Sequence, residues 1–212
     1  INGSVRIPIP DGELRVPVTG VVLRTRGLGH AWEGRPIVRD LDLRGMDTLV
    51  DGAHALAHFD FNLAGAYGYE QALLVIRRLE LPMRDVEEQF RRMVFNIVAR
   101  NQDDHVKNIA FLMDKQGQWR LSPAFDVAYS YNPNGDWTSR HQVSLNGKRD
   151  NFKKEDLITF AKAAGLKKAK AATLLGEVAG SLGNWRRHAA QAEVSQHDIK
   201  RIEDTFRLDL SA

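Results

Sequence analysis

The stretch Asn101-Gln102-Asp103-Asp104-His105-Val106-Lys107-Asn108 decides how this chain is read. Asp103 precedes Asn108 by five residues, and Asp126 lies beyond a predicted hairpin. A carboxylate can take a proton from a hydroxyl, and an amide oxygen five positions on can hold a divalent cation. With a second cation-binding carboxylate a hairpin further on, these form the pattern of a phosphoryl-transfer loop. Taken singly, each residue has a plainer reading. An Asp-Asp pair after a helix is ordinary turn chemistry, Asn at a strand start bonds its own backbone, and Asp after a strand caps or turns. At these separations the three read together as one site.

The flanking segments support that reading. Upstream, Val86, Phe90, Met93, Val94, Ile97 and Val98 recur at helical spacing and predict an amphipathic helix that delivers the chain into the loop. Asp85 is expected to cap its first turn, with Glu88 three residues on, and Glu87 and Arg91 are expected to pair on the wet face. Downstream, Ile109 to Met113 is an apolar run, Asp114-Lys115-Gln116-Gly117 is turn chemistry, Gln118 to Leu121 returns, and Pro123 closes the unit. Such a hairpin brings Asn108 and Asp126 to the same end of one ribbon, as two ligands of a shared cation require.

The remainder is expected to be mostly helical. Glu70 to Leu79 reads as a helix ended by Pro82, and Lys154 to Ala164 as one stopped by Gly165. Further helices are expected at about 167–179 and 184–192, and a last one starts at Ser195-x-x-Asp198 with Ile199, Ile202 and Phe206 on one face. Tyr129 to Asp150 reads as a long polar loop. The first fifty residues fit no clear pattern. Val5 to Pro10 suits an edge segment, a hairpin around Asp11-Gly12 is possible by pattern, Gly27 to Gly34 reads as loop, and Ala53 to His58 suits a short helix.

Composition narrows the class. The chain has 212 residues, 43% hydrophobic and 27% charged, which suits a globular protein of one domain or two small lobes. It has no cysteine, so disulfide frameworks and thiolate zinc sites are excluded. No leader and no membrane-length apolar run is visible, and a cytoplasmic location is expected. A net charge of +3 does not by itself argue for nucleic acid. Lys167, Lys168 and Lys170, with Lys153, Lys154, Lys162, Arg186 and Arg187 nearby, suit a solvated helix face, an acidic partner or a nucleic-acid backbone. Trp137, Trp185, Tyr129 and Tyr131 read as core or loop anchors.

Within the central loop, Asp103 is the candidate base and Asn108 and Asp126 the candidate metal ligands. His105 either orients the loop or is structural. Lys107 either neutralises a transferring phosphoryl group or is solvated. A metal-dependent phosphoesterase built on Asp103, Asp104 and His105 is a competing reading. It needs further ligands, for which His54, His58 and His141 are available.

From Phe95-Asn96 to Phe111-Leu112, at Leu121-Ser122-Pro123-Ala124-Phe125-Asp126 and at Ser144-Leu145-Asn146-Gly147-Lys148, the chain resembles the C-terminal catalytic part of HipA-like serine/threonine kinases, the toxins of bacterial toxin–antitoxin modules linked to persistence. The resemblance runs from about Asp51 to about residue 192 and is densest from Gln89 to Lys148. It implies an α+β fold: a kinase-like C-lobe, mostly helical with a catalytic β-hairpin, over 51–212. A truncated or degenerate β-containing N-lobe remnant over 1–50 would precede it. It implies ATP and Mg²⁺ as cofactors, Asp103 as catalytic base, Asn108 and Asp126 as Mg²⁺ and cofactor ligands, and His105 within the catalytic loop. It further implies a protein serine as acceptor, with an aminoacyl-tRNA synthetase as the substrate class. The implied partner is a HipB-like helix-turn-helix antitoxin, with DNA reached only through that antitoxin. One departure bears on activity. A kinase needs an upper-lobe lysine at the α/β-phosphates, and the first lysine here is Lys107. Weak ATP binding and little turnover are therefore expected. The alternative is a non-catalytic lobe that binds the antitoxin–DNA complex.

Overall fold

The computed structural model describes residues 2–9, 12–19, 46–51 and 64–211 except 115, with side chains described from residue 64 onward. The expected helix at Ala53 to His58 and the loop at Gly27 to Gly34 lie outside the described residues, as do His54 and His58. The fold is α+β. Strands β1 (Asn2–Ile9) and β2 (Gly12–Thr19) form an antiparallel hairpin with Ile9 opposite Gly12. A second sheet has the order β3-β4-β5, from β3 (Met46–Asp51), β4 (Ala110–Asp114) and β5 (Trp119–Leu121), all antiparallel.

The central place of β4 explains its sequence. A strand paired on both edges and packed on the core carries a continuous apolar run, not an alternating one. Ala110, Phe111 and Leu112 are all buried. Strand β3 was not anticipated. It is short, it is bounded by polar residues, and its partner lies some sixty positions on, so no local signal announces the pairing.

Among the described residues six helices are present: α1 (Tyr69–Arg78), α2 (Met83–Val98), α3 (Lys154–Ala163), α4 (Lys168–Leu182), α5 (Trp185–Gln191) and α6 (Gln196–Glu203). Helix α2 is the axis of the lobe. Its stripe of Val86, Phe90, Met93, Val94, Ile97 and Val98 is buried as the spacing predicted. It packs against α1 and α4, and Phe90 stacks on Phe160 of α3 at 6.3 Å between ring centroids.

The wet face of α2 differs from expectation. Pro82, not Asp85, is the N-cap, because proline at the boundary has no N–H to leave unsatisfied; its carbonyl accepts from Asp85 N at 2.8 Å. Arg91 pairs with Glu88 at 2.6 Å and Glu177 at 2.8 Å, while Glu87 pairs with Lys170 at 3.2 Å. Contacts between helices thus override the i,i+4 pairing.

Two terminus signals and one apolar face hold. Gly165, at φ +76°, closes α3. Ser195 Oγ accepts from Asp198 N at 3.1 Å and opens α6. Ile199 and Ile202 are buried, and Phe206 meets Trp185 edge-on at 5.8 Å. A side chain at Gly165 would meet only Met83 Cε, at 3.9 Å. Gly165→Ala should therefore cost backbone strain alone, about 1 kcal/mol in urea unfolding.

Candidate active site

The loop after α2 begins with a sharp break. Arg100 adopts φ +61°, and Asn101 folds back, its N–H donating to Asn96 O at 2.9 Å and its Nδ2 to Asn96 Oδ1 at 3.0 Å. The two aspartates that follow then separate. Asp103 is half-buried, and Asp104 is only 2% exposed.

Asp104 is the anchor. Its Oδ2 accepts from the Tyr69 hydroxyl at 2.6 Å and lies 2.8 Å from His141 Nδ1. Its Oδ1 accepts from the backbone N–H of Gln142 at 2.8 Å and of Val143 at 3.4 Å. Tyr69 in turn accepts from Asn96 Nδ2 at 3.1 Å. His141 Nε2 lies 3.3 Å from Arg207 Nη1. A guanidinium can only donate, so Nε2 accepts and the ring presents its Nδ1 proton to Asp104. Arg207 also grips Asp150 and donates its backbone N–H to Val98 O at 2.9 Å. Burial alone would raise Asp104; the His141 ring, the Tyr69 hydroxyl and the Gln142 N–H outweigh it and hold the carboxyl below its usual range. Burial pushes the Tyr69 phenol well above its usual range, and the Asp104 carboxylate adds to the rise.

Pinning Asp104 in the core fixes where its neighbours go. Asp103 and His105 line an open cleft of about 490 Å³ with Gly135, Asp136, Trp137, Thr138 and Gln142. Trp137 is 55% exposed at this rim, not a core anchor. Tyr131 and Tyr129 do act as anchors, under the guanidinium groups of Arg100 at 4.4 Å and Arg201 at 5.8 Å. Val106, Lys107 and Asn108 form a single 3₁₀ turn, with Asn108 N donating to His105 O at 2.9 Å. Asn108 Nδ2 donates to Asp103 O at 2.9 Å. That bond commits the nitrogen of the amide and leaves Oδ1, its only cation-binding atom, for a ligand.

Asp126 is exposed, with φ +52°. Ser122 N donates to Ala110 O at 2.8 Å, so the ribbon stays paired to its end. Asn108 precedes Ala110 by two residues and Asp126 follows Ser122 by four, and both leave the ribbon at that end. Among the described residues no hydrogen bond joins Asp126 to the Asp103 loop. The structure therefore brings Asp103, His105, Lys107 and Asn108 together in one loop, and sets Asp126 on the adjoining segment.

The donor set suits a hard cation. Two oxygens, one amide and one carboxylate, match Mg²⁺, which keeps waters and phosphate oxygens in its shell and needs few protein ligands. A metallo-phosphoesterase fits less well. Among the described residues no group of three or more His, Cys, Asp or Glu could hold a metal ion. Asp104 and His141 are moreover spent on each other.

Tyr69, Asn96 and Arg207 were missed as site-supporting residues by sequence reasoning, and Asp104 and His141 were read as candidate metal-site residues, not as supports of the loop. Only His141, embedded in a polar loop just before the apolar Val143 and Leu145, gave a local hint of burial.

The family model of the HipA-like C-terminal domain matches residues 44–185. The chain belongs to the HipA-like C-terminal domain family. The match takes in β3 as well as the loop and the ribbon. The fold is also that of a chain in the HipA, HipB and operator DNA complex of the Shewanella oneidensis MR-1 toxin–antitoxin system, with a TM-score of 0.63 and 13% sequence identity. That alignment covers 100% of this chain and 51% of the other, so this HipA-like chain spans about half the length of its structural relative. No curated protein sequence matches it. Among the described residues no helix is long and apolar enough to cross a membrane.

Proposed function

We propose that this chain carries the catalytic lobe of a HipA-type serine/threonine kinase. The observation that carries the reading is the split of the aspartate pair. Asp104 is fastened in the core, which turns Asp103 to an open cleft, and the carbonyl of Asp103 holds the Asn108 amide. Asp103 accepts the proton of a protein serine hydroxyl as that oxygen attacks phosphorus. Asn108 and Asp126 supply the oxygens that hold Mg²⁺. When bound, Mg²⁺ and ATP provide the phosphoryl group and neutralise the charge that develops on it. Lys107, on the same turn, adds positive charge beside the transferring group, and His105 lines the cleft with the base.

Family membership and the fold shared with a HipA–HipB–DNA complex support a HipB-like helix-turn-helix antitoxin as partner, with DNA contacted through it. The acceptor is a serine of a protein, with an aminoacyl-tRNA synthetase as the class suggested by the resemblance, and the site of action is the cytoplasm.

The chain has no lysine before Lys107. A compact ammonium at the α/β-phosphates is not replaced by the forked guanidinium of an arginine. These 212 residues on their own should therefore hold ATP weakly, and phosphorylation of a protein serine should rise with ATP concentration without saturating. Mg²⁺–ATP at micromolar concentration should leave the melting temperature unmoved, since stabilisation follows occupancy. A second reading, a non-catalytic lobe that binds the antitoxin, is supported by the fold shared with a chain of a HipA–HipB–DNA complex. Mass spectrometry separates the two: no phosphoserine at any ATP concentration, together with co-purification of the antitoxin, would replace the kinase reading by the second.

A further inference from the structure

Behind the Asp104 anchor, on the loop that also walls the Asp103 cleft, three cations gather in one place. Arg140, Lys148 and Arg149 line an open cleft of about 580 Å³ with Asp150 and Asn151. We propose that this cleft is a binding site for a phosphate monoester, presented by a phosphorylated protein segment.

Asp150 is committed to Arg207 and lies 3.9 Å from Arg100, so its carboxylate is already neutralised from outside the cleft. Lys148 Nζ rests on both oxygens of Asp156 at 2.8 Å, yet its side chain stays 43% exposed. Arg149 spends only Nε, on His141 O at 2.6 Å. Its two terminal nitrogens make no hydrogen bond among the described residues. Arg140 is exposed; its backbone carbonyl accepts from Gln142 Nε2 at 3.4 Å, and its guanidinium has no hydrogen-bond or ion-pair partner among the described residues. Two guanidinium groups thus face one cleft with their forks uncommitted.

The arrangement is held against its own repulsion. Burial, and then the charge of Arg140, pull Arg149 below the usual guanidinium range. Gly65 permits this placement. A Cβ there would lie 2.4 Å from Arg149 Cδ, and the φ of Gly65 is +79°. The Gly65 N–H donates to Gln142 O at 2.8 Å, which ties the glycine to the same loop. Arg149 is therefore set in position before any ligand arrives, and an anion between the guanidinium groups would relieve the repulsion. A dianionic phosphate monoester matches two forks bidentately.

The geometry favours a phosphorylated protein segment over nucleic acid. A polynucleotide needs a row of cations spaced along a backbone, whereas here three meet in one pocket formed within residues 140–151. Arg140 is also only two residues from Gln142, which lines the Asp103 cleft. On the kinase reading, a substrate segment could present its acceptor serine to one cleft and a phosphorylated residue to the next. The anion site itself does not depend on that reading.

The test is fluorescence polarisation with a labelled phosphoserine peptide and its unphosphorylated twin, in the absence of ATP. The phosphopeptide should bind at least about tenfold more tightly, a charge-assisted pair being worth that much. Inorganic phosphate should compete with it. Arg140→Ala should remove most of the difference and Arg140→Lys should restore only part, with melting temperatures not lowered because the Arg140 side chain bonds nothing among the described residues and its carbonyl is kept. Asp103→Ala should bind as the wild type does, so loss of catalysis and loss of this site remain distinguishable. Equal binding of the two peptides, indifference to Arg140→Ala, or tighter binding of duplex DNA than of the phosphopeptide would overturn the proposal.

Discussion

Asp104→Ala should destabilise the lobe by about 3–5 kcal/mol, the cost of breaking a buried charged network by removing one partner. The substitution leaves the Tyr69 hydroxyl, the His141 Nδ1 proton and the Gln142 N–H buried without an acceptor. That is a large part of the stability of an ordinary domain. Asp104→Asn keeps the volume and one acceptor oxygen but turns an amide nitrogen toward donors, so it should fall between alanine and wild type. Urea unfolding at neutral pH measures both.

The pH dependence has a definite sign. The folded Asp104 carboxyl titrates below its unfolded value, so its contribution is complete above about pH 4 and is lost as pH falls toward the folded value. Tyr69 is raised, so its contribution is complete below about pH 10 and is lost as pH rises through the folded value. Stability should form a plateau between these limits. In Asp104→Asn the acid limb should flatten, because no carboxyl remains at that position to titrate.

The neighbouring residue should behave in the opposite way. Asp103→Ala should reduce phosphoryl transfer by about 10²–10⁴-fold, the usual worth of a positioned base. Its stability should stay within about 0.5 kcal/mol of wild type, since its half-exposed carboxylate fastens nothing among the described residues. The loss should fall on kcat at fixed ATP, and not on binding of the protein substrate, because the base acts in the transition state. Two adjacent aspartates would then separate cleanly, one by unfolding and the other by turnover. Equal loss of stability in both variants would dismiss this division of labour.

Much of the fold was legible because its signals are local. The α2 stripe, the glycine stop at Gly165, the Ser195 cap and the Asp114–Gly117 turn each depend on residues within a turn or two of one another. Strand β3 was illegible because a six-residue strand is fixed by its partner, not by its own pattern. The same limit hid the site's foundations. Asp104 is bonded to residues 35 and 37 positions away, and no spacing rule connects Tyr69, His141 and Arg207. The loop itself could be read because its chemistry is carried within eight consecutive residues. The rim of α2 misled for a related reason: Glu177 and Lys170 of α4 reach across and take the partners that an isolated helix would have kept for itself.

On the proposed function, the oxygens of Asn108 and Asp126 hold one divalent cation beside Asp103. Mn²⁺ in place of Mg²⁺ makes that cation visible by electron paramagnetic resonance. Titrating Mn²⁺ with excess ATP into the wild-type chain should give a bound spectrum. Asn108→Ala and Asp126→Ala should each weaken binding by about tenfold or more, as loss of one metal-oxygen ligand does, while Glu155→Ala, at an exposed carboxylate on α3, should not. Identical Mn²⁺ affinity in wild type, Asn108→Ala and Asp126→Ala would contradict it.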